Sequence, residues 1–580
     1  MLAKSLAPPG VIENRAIDEA RPLRVVCIGA GISGILTTIR FPHKLPNVEL
    51  QVYEKNSSIG GTWTENRYPG CACDIPAPTY QPTFEPNLEW KQFYASADEI
   101  REYWERIADK YDCMRYIKLK NEVVHACWDA EQSKWILKIR DLETGSTFED
   151  SCNVLISATG SLNNWKWPAI PGLGTFGGKL LHSASWDQSY DYTGDNVAVI
   201  GNGSSGIQIV PSMLPKVKRI DHYARGRTWI SATFAKSKVE ERGADLDNFY
   251  FTEEDHRSFK NDPGVYQKFR KDVELELQSA HGFVFKDSPA QKAAQENFTR
   301  DMRKRLARKP ELADQLIPSF PPCCRRLTPG PGYLEALCDD KVEVIRDDIA
   351  EVTTTGITTT DGKHRKVDTI VCATGFDTTF VPRFPIIGEN GILLSERWRE
   401  TPETYLSLAT DGFPNYFISL GPNGALGTGS LILVMEKMID YFVECVAKMQ
   451  RESIKSMMVR EDAVKRFTKY CDSFFQQTVY SVKCRSWYKS GTEDGRVNAL
   501  WPGSSLHAVK AVSHPRWEDY RYGYVNDNPG GWIGDSWTQD EKDNTINVDY
   551  LDDEAIDFPP VPPKLNGKKL NGSGIGANGS

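Results

Sequence analysis

The fold of this chain is decided by the stretch Arg24-Val-Val-Cys-Ile-Gly29-Ala-Gly31-Ile-Ser33-Gly34. Its apolar run predicts a buried strand, its glycines form the pattern G-x-G-x-x-G, and a helical pattern follows. Gly29 permits a tight turn, Gly31 lets the backbone approach a pyrophosphate, and Gly34 lets helix and strand pack closely. A second predicted strand ends at Glu54, which is placed to accept a hydrogen bond from a ribose hydroxyl. The stretch therefore predicts a Rossmann-like fold that binds a dinucleotide.

The same pattern occurs a second time, in Asn196-Val-Ala-Val-Ile-Gly201-Asn-Gly203-Ser204-Ser205-Gly206. The strand after this turn does not end in an acid but runs into Arg225-Gly-Arg227. An acid there would contact a free 2′-hydroxyl, whereas arginine pairs with a 2′-phosphate through charge-assisted hydrogen bonds. The second site is therefore expected to take NADPH rather than NADH. Two solvated arginines on a loop are the alternative.

Two more buried strands, beginning at Val154 and Thr369, each run into Ala-Thr-Gly, at Thr159-Gly160 and Thr374-Gly375. This arrangement resembles that of flavoproteins with two dinucleotide sites, in which the chain leaves the flavin domain after one such strand and returns near the other. We therefore expect an α/β protein with two Rossmann-like domains, one for FAD and one for NADP, and a helical insertion in the NADP domain. The expected division is 1–165 (first part of the FAD-binding domain, with an N-terminal arm that is helix-patterned over 12–20), 166–381 (NADP-binding domain, helical insertion about 232–320), 382–560 (second part of the FAD-binding domain, with a mobile loop) and 561–580 (disordered tail).

Composition narrows the class of protein. Of 580 residues 40% are hydrophobic and 26% charged, and the net charge of −8 gives no electrostatic footprint for nucleic acid. The N-terminus has no apolar run of signal-peptide length, and the aliphatic stretches are too short to span a bilayer, so we expect a cytoplasmic protein without a membrane partner. No C-x-x-C pair occurs among the 13 cysteines, which speaks against a zinc site or a disulfide reductase. Cys71, Cys73, Cys323 and Cys324 are expected to be reduced thiols.

Two loop patterns are more specific than the glycine turns. Phe176-Gly-Gly178-Lys-Leu-Leu-His182-Ser-Ala-Ser-Trp186 has the form F-x-G-x-x-x-H-x-x-x-W, and Asp187 follows it. Gly60-Gly61-Thr62-Trp63 is followed by Tyr68-Pro-Gly and then by Asp74. Each could be a glycine-rich surface connection, but both accompany two dinucleotide signatures. Their joint presence favours a shared function.

These motifs together resemble those of type I Baeyer–Villiger monooxygenases, which are class B flavoproteins. The resemblance covers roughly residues 22 to 525. It implies that NADPH reduces FAD, that the reduced flavin takes up O2 to form a C4a-peroxyflavin, and that one oxygen atom is inserted beside the carbonyl of a small-molecule ketone. The product would be an ester or a lactone. A monomer without a metal is expected.

The resemblance also implies roles for individual residues. Arg326, the second member of a basic pair ahead of Tyr333, matches the catalytic arginine, and Asp74 would orient it. Arg325 takes the place of a lysine that helps hold NADP, and Arg227 stands where proline is common. With the motifs, the resemblance gives these cofactor-binding candidates: Gly29, Gly31, Ser33, Gly34, Glu54, Gly61, Thr62, Trp63, Asp74, Tyr80, Gly201, Gly203, Ser204, Ser205, Gly206, Arg225, Arg227, Arg325, Thr374, Gly375, Asn423 and Trp487.

Two other functions compete with this one. A flavin monooxygenase that oxygenates nitrogen or sulfur would use the same intermediate, but its related linker lacks the final tryptophan, so Trp186 and Asp187 argue against it. A non-catalytic protein that binds NADPH and FAD would need neither Arg326 nor Asp74. NADPH consumption with and without a ketone distinguishes the two classes.

Overall fold

Two parallel five-stranded sheets form the framework of the structure, a computed structural model that describes residues 12–243 and 247–556. The strands are β1 (Leu23–Ile28), β2 (Val48–Tyr53), β3 (Ile117–Lys118), β4 (Asn121–Asp129), β5 (Lys134–Asp141), β6 (Thr147–Cys152), β7 (Val154–Ser157), β8 (Lys179–His182), β9 (Asn196–Ile200), β10 (Arg219–Tyr223), β11 (Val342–Ile345), β12 (Ile349–Thr353), β13 (Gly356–Thr359), β14 (His364–Lys366), β15 (Thr369–Cys372), β16 (Ile386–Ile387), β17 (Tyr416–Ile418), β18 (Ile454–Val459) and β19 (Tyr520–Tyr524). The α-helices are α1 (Ile32–Lys44), α2 (Thr62–Glu65), α3 (Ala97–Lys110), α4 (Ser204–Met213), α5 (Lys236–Glu240), α6 (Glu253–Asn261), α7 (Pro263–Ser279), α8 (Pro289–Arg305), α9 (Glu311–Leu316), α10 (Tyr333–Leu337), α11 (Leu394–Arg397), α12 (Leu431–Arg451), α13 (Glu461–Gln476), α14 (Ser505–Ala511) and α15 (Gln539–Asp543). The predicted tail, 561–580, lies outside the described residues.

The first sheet has the strand order β17-β7-β1-β2-β3, and all of its pairs are parallel. Parallel sheets are covered on both faces, which is why β1 is a nearly continuous apolar run. Helix α1 follows the first glycine turn and packs against α12. The sequence predicts the latter helix over 431–450, close to its observed bounds. Within the described residues no helix is both long and apolar enough to cross a membrane.

The second sheet has the strand order β11-β10-β9-β15-β8, again with parallel pairs only. Its edge strand β8 lies within the motif from Phe176 to Trp186, here called the linker motif, so part of the possible surface connection is a strand paired with β15. A side chain at Gly178 would lie 2.7 Å from the Phe176 ring and 2.3 Å from the Asp368 carbonyl oxygen. The spacing F-x-G thus reflects a tight corner that leads into β8.

Helices α5 to α9 occupy the segment for which a helical insertion is expected. The sequence predicts one helix over 259–280, but the structure breaks it at Asp262. The Asp262 side chain accepts a hydrogen bond from the Gly264 backbone N–H and caps α7. Pro263, the first residue of α7, lacks an N–H and cannot continue α6.

Residues 12–19 and 530–556 belong to a small unit separate from 20–529. The helix pattern over 12–20 is not realised, because these residues form turns and bends. A helix this short gains few hydrogen bonds for the backbone it orders. All of the candidate site residues lie in the larger unit.

The expectation of reduced thiols is wrong for one of the four cysteines. Cys324 forms a disulfide with Cys484, and their Cα atoms are 6.5 Å apart. Cys71, Cys73 and Cys323 are free. Sequence rules for C-x-x-C detect only neighbouring cysteines, whereas this pair is 160 residues apart.

One buried histidine makes stability depend on pH. His222, in β10, donates from Nδ1 to the Val199 carbonyl oxygen at 3.3 Å, and its Nε2 accepts from the Tyr333 hydroxyl at 2.9 Å. Burial lowers the pKa of His222 to about 4. Between the ordinary histidine pKa and this value the unfolded chain binds a proton that the native protein does not. The free energy of unfolding should therefore fall as pH drops through this window, by up to about 1.4 kcal/mol per pH unit for this group.

His222→Gln tests this dependence. The variant should melt at a lower temperature than the wild type near pH 7 but lose less of its melting temperature between about pH 6.5 and 4, as measured by differential scanning calorimetry. His514→Gln is the control, because the His514 side chain is 85% exposed. Equal pH slopes in all three proteins would contradict the assignment.

Candidate active site

The first glycine turn is built so that only glycine fits. Gly29 has φ +103°, and a Cβ there would lie 2.7 Å from the Ala158 carbonyl oxygen. A Cβ at Gly34 would lie 2.1 Å from the Gly29 carbonyl oxygen. The backbone N–H of Ala30 donates to Glu54 Oε2 at 2.7 Å, and burial raises the pKa of Glu54. The predicted glycine turn and Glu54 are thus in direct contact.

A cavity of about 500 Å³ extends from this turn. It is bounded by Gly31 and Gly61, where a Cβ at Gly61 would lie 2.9 Å from the Gly31 Cα. This close backbone approach, a buried carboxylate and a partly apolar wall fit a flavin dinucleotide. The predicted residues that line the cavity are Gly29, Gly31, Ser33, Glu54, Gly61, Thr62, Trp63 and Tyr80. Sequence reasoning missed others, among them Lys55, Asn56, Val124, Arg383, Leu431 and Met435.

Asp74 and Asn423 are not among the residues that line this cavity. Asn423 is buried, and its Nδ2 donates to the carbonyl oxygens of Val497 and Leu500, each at 2.9 Å. Its amide therefore fixes the backbone of residues 497–500, which overlap the predicted mobile loop. A direct contact of Asn423 with a cofactor stays a prediction.

Asp74 instead forms a two-pronged ion pair with Arg326. Arg326 Nε donates to Oδ2 at 2.9 Å and Nη2 donates to Oδ1 at 2.5 Å. The negative charge of Asp74 raises the pKa of Arg326 against the opposing effect of burial. The Arg326 side chain remains 34% exposed. Arg326 is thus charged, oriented by Asp74 and still partly accessible to solvent.

Tyr80 connects this pair with the cavity. Its ring lines the cavity and meets the Trp63 ring edge to face, with centroids 5.5 Å apart. Burial, mainly, raises the pKa of Tyr80, and the charges of Asp74 and Arg326 act on the same hydroxyl. The ion pair therefore lies close to the wall formed by Trp63 and Tyr80.

His182 of the linker motif is fully buried. Its Nδ1 accepts from the Ala184 backbone N–H at 3.1 Å, so the proton is on Nε2, which donates to Thr374 Oγ1 at 3.2 Å. The imidazole stacks on Trp165 with centroids 4.5 Å apart, and burial lowers its pKa to about 4. His182 is thus neutral and joins the linker motif to the second Ala-Thr-Gly segment. Trp186, partly buried, contacts Tyr192.

The second glycine turn repeats the geometry of the first. Gly201 has φ +108°, and a Cβ there would lie 2.4 Å from the Ala373 carbonyl oxygen. A Cβ at Gly206 would lie 2.0 Å from the Gly201 carbonyl oxygen. Gly203, by contrast, has no atom within 4 Å of its would-be Cβ, and α4 begins directly after it with Ser204. The open space at Gly203 and the free helix N-terminus suit a pyrophosphate.

Three predicted arginines gather beside this turn. Arg225 pairs with Asp348 at 3.0 Å, and both side chains are mostly exposed. Arg227 Nη1 donates to the Ile317 carbonyl oxygen at 2.8 Å, and Arg325 Nη1 donates to the Arg227 carbonyl oxygen at 2.8 Å. An exposed ion pair such as that of Arg225 is weak and can be exchanged for a phosphate.

Some contacts around the site had no signal in the sequence. The Tyr68 hydroxyl donates to Gln208 Oε1 at 2.8 Å, and Gln208 Nε2 donates to the Ala72 carbonyl oxygen at 3.0 Å. The loop that ends at Asp74 thus rests on α4. The Y-P-G pattern indicates a functional loop. Nothing in the sequence around Gln208 indicates that this glutamine contacts the loop.

Trp487 lies in a short 3-10 helix, Trp487–Lys489, with its ring 4.7 Å from that of Tyr488. The neighbouring Lys489 is buried, and its Nζ donates to the carbonyl oxygens of Val482 at 2.8 Å and Glu493 at 2.5 Å. Burial lowers the pKa of Lys489. Sequence reasoning missed this internal ammonium, which joins both sides of the loop.

Comparisons with known proteins agree with this geometry. A family model described as an NAD(P)-binding Rossmann-like domain matches residues 27–97. The FAD-binding monooxygenase tazF of Aspergillus terreus is 40% identical over 89% of this chain and 91% of its own length. A Baeyer–Villiger monooxygenase of Pseudomonas aeruginosa is 34% identical over 83% of this chain and 88% of its own.

The chain belongs to the Baeyer–Villiger monooxygenase family. A solved structure of an oxidized steroid monooxygenase bound to NADP has a TM-score of 0.72 and 26% identity, and the match covers 86% of this chain and 99% of the other. As a Baeyer–Villiger monooxygenase the chain is an FAD- and NADPH-dependent enzyme. The expected α/β fold with two dinucleotide-binding domains is confirmed.

Gly203→Ala tests the second glycine turn. The backbone at Gly203 is extended and its surroundings are open, so alanine should leave the melting temperature unchanged. Its methyl group should keep a pyrophosphate from approaching the backbone and weaken NADP⁺ binding on the order of tenfold or more, as measured by isothermal titration calorimetry.

Gly174→Ala is the matched control, since that position is equally open and lies outside the turn. NADP⁺ binding of Gly203→Ala at the level of this control would show that the pyrophosphate lies elsewhere.

Proposed function

We propose that this enzyme inserts one atom of O2 beside a ketone carbonyl to give an ester or a lactone, with Arg326 and Asp74 as its catalytic residues. The observation that carries the proposal is the two-pronged Arg326–Asp74 pair, with contacts at 2.9 and 2.5 Å, close to the aromatic wall of the FAD cavity. FAD, when bound, supplies the reducing and O2-activating chemistry. What the chain must add is stabilisation of negative charge on oxygen.

Arg326 is suited to that task. A guanidinium stays charged over the whole physiological pH range and so stabilises an oxyanion without giving up a proton to it. Asp74 fixes its orientation before the reaction, so little reorganisation is needed when charge develops. The Arg326 side chain is 34% exposed, which leaves it accessible to the reacting oxygen atoms in this proposal.

The two nucleotide sites have separate roles in the proposal. Glu54 and the first glycine turn hold the adenosine half of FAD, and Trp63 covers the ring system. The second turn holds NADPH, with Arg225 on the 2′-phosphate. The expected domain limits, 1–165, 166–381 and 382–560, are proposed with these roles. A cytoplasmic location and a monomeric state stay predictions.

The linker motif favours a ketone as the substrate. Trp186 and Asp187 complete the pattern that resembles Baeyer–Villiger monooxygenases. The related motif of flavin monooxygenases that oxygenate nitrogen or sulfur lacks the final tryptophan. A panel of linear, cyclic, aromatic and polycyclic ketones, with a sulfide and an amine for comparison, decides the matter. NADPH oxidation and product mass are measured under ¹⁸O2, and one labelled atom should enter the ester or lactone formed from a ketone. Oxidation of the sulfide and amine alone would contradict the proposal.

Arg326→Ala should separate reduction from oxygenation. The variant should still bind FAD and NADPH and reduce the flavin, because the arginine is absent from the residues that line the cavity. Ester or lactone formation should fall by on the order of 10²–10³, with hydrogen peroxide released instead. Arg326→Lys should recover little, since an ammonium cannot form the planar pair with Asp74. Anaerobic stopped-flow reduction, followed by mixing with O2 and ketone, measures both steps.

Arg24→Ala is the matched control. Arg24 forms a similar two-pronged pair with Asp150, at 3.2 and 2.7 Å, with comparable exposure. The Arg24→Ala variant should be less stable than the wild type but should form ester or lactone and hydrogen peroxide in the wild-type ratio. A full yield of product from Arg326→Ala would remove that residue from the proposed role.

His182→Phe tests whether the linker motif couples the two halves of the reaction. Phenylalanine can keep the stacking on Trp165 but cannot donate to Thr374. FAD content should stay at the wild-type level, while more of the NADPH consumed should appear as peroxide.

Thr374→Val removes the same hydrogen bond from the other side and should have the same effect. Wild-type coupling in both variants would make His182 a packing residue only. Peroxide formed per NADPH consumed is the measurement.

A further inference from the structure

Four guanidinium groups without a carboxylate partner gather near the carboxyl end of β10. Within residues 12–243 and 247–556, every Asp and Glu oxygen lies more than 4.0 Å from Arg227, Arg325, Arg346 and Arg485. The neighbouring Arg225 has a partner, Asp348, at 3.0 Å. Arg227 and Arg485 are exposed, and Arg325 and Arg346 are half-buried, so an anion can reach the group from solvent. This cluster, here called the arginine cluster, is therefore an uncompensated concentration of positive charge.

The contacts of the arginine cluster are to backbone oxygens. Arg346 Nη1 donates to the Gly226 carbonyl oxygen at 3.3 Å, and Arg325 Nη1 donates to that of Arg227 at 2.8 Å. Carbonyl groups satisfy the N–H donors but carry no net charge. Burial and the nearby charge of Arg485 lower the pKa of Arg325, and burial and Arg227 lower that of Arg346. An anion at this place would relieve the repulsion.

Arg485 is held in the arginine cluster by the disulfide of the cysteine that precedes it. Arg325 Nε donates to the Arg485 carbonyl oxygen at 2.5 Å, and each of the two arginines directly follows a cysteine of the Cys324–Cys484 disulfide. Without this bond, repulsion would favour separation of the two segments. Glu493, whose charge acts on Arg325, lies 3.9 Å from Lys483 and thus has another cation beside it.

The place of the arginine cluster identifies its anion. Asn202 Nδ2 of the second glycine turn donates to the Gly226 carbonyl oxygen at 2.6 Å, so the loop that carries Arg227 is fixed to that turn. In a Rossmann-like fold the 2′ position of the adenosine ribose lies beside this loop. A 2′-phosphate carries the negative charge and the geometry that guanidinium groups bind best.

We propose that Arg485 is a further specificity residue for the 2′-phosphate of NADPH, and that the Cys324–Cys484 disulfide holds it beside Arg325 for this purpose. The inference rests on the proposed function and adds that the phosphate is bound by the same segment that carries Trp487. Recognition of the phosphate thereby fixes the position of the loop.

The test is equilibrium binding to the FAD-loaded protein under non-reducing conditions. Arg485→Ala should weaken NADP⁺ binding about tenfold and leave NAD⁺ binding within about twofold of wild type. The probe 2′,5′-ADP, which lacks the nicotinamide half, should be weakened by the same factor as NADP⁺. Arg225→Ala is the positive reference. Lys268→Ala, in α7 and 78% exposed, removes one positive charge and is the control without effect.

Each other outcome overturns part of the proposal. Equal weakening of NADP⁺ and NAD⁺, or unchanged binding of 2′,5′-ADP, would mean that Arg485 acts on the loop and not on the phosphate. Cys484→Ser keeps Arg485 but removes the disulfide, and unchanged NADP⁺ binding in this variant would overturn the role of the crosslink. A wild-type protein that binds neither NADP⁺ nor 2′,5′-ADP would instead contradict the proposed function.

Discussion

A carboxylate and a guanidinium that are 252 residues apart in the chain meet in the Asp74–Arg326 pair. Asp74 ends the loop after the first glycine turn, and Arg326 follows the helices connected to the second sheet. Breaking such a partly buried pair from one side leaves a desolvated charge without a partner, which costs more than the pair contributes when it forms. The two halves of the molecule therefore constrain each other at the point where oxygen chemistry is proposed.

The two glycine turns show how a local pattern becomes a long-range constraint. In each, the missing Cβ makes room for a carbonyl oxygen from an Ala-Thr-Gly segment, Ala158 for the first turn and Ala373 for the second. The second segment continues into Thr374, which accepts the hydrogen bond of His182. The nucleotide turn, the returning strand and the linker motif are thus in direct contact.

This explains which features the sequence could predict. The glycine turns, Glu54 and the helix at 431 depend on neighbours in the sequence, and motif or periodicity reveals them. The disulfide of Cys324, the amide contacts of Asn423 and the edge strand β8 depend on partners far along the chain. Nothing near Cys324 indicates Cys484, since a thiol pair needs proximity in space and carries no local spacing. The Arg326–Asp74 pair was predictable only because the family resemblance named both partners.

The buried ammonium of Lys489 bears on the predicted mobility of the loop around Trp487. Its hydrogen bonds to Val482 and Glu493 join the two sides of the loop from within. A segment whose two sides are joined by internal hydrogen bonds shifts as a rigid body, and its residues do not have to become ordered one at a time. Ordering a flexible loop would cost about 1–2 kcal/mol in backbone entropy for every residue. Because this loop is already ordered internally, the predicted closure over a bound molecule would lose mainly the freedom of a few hinge torsions.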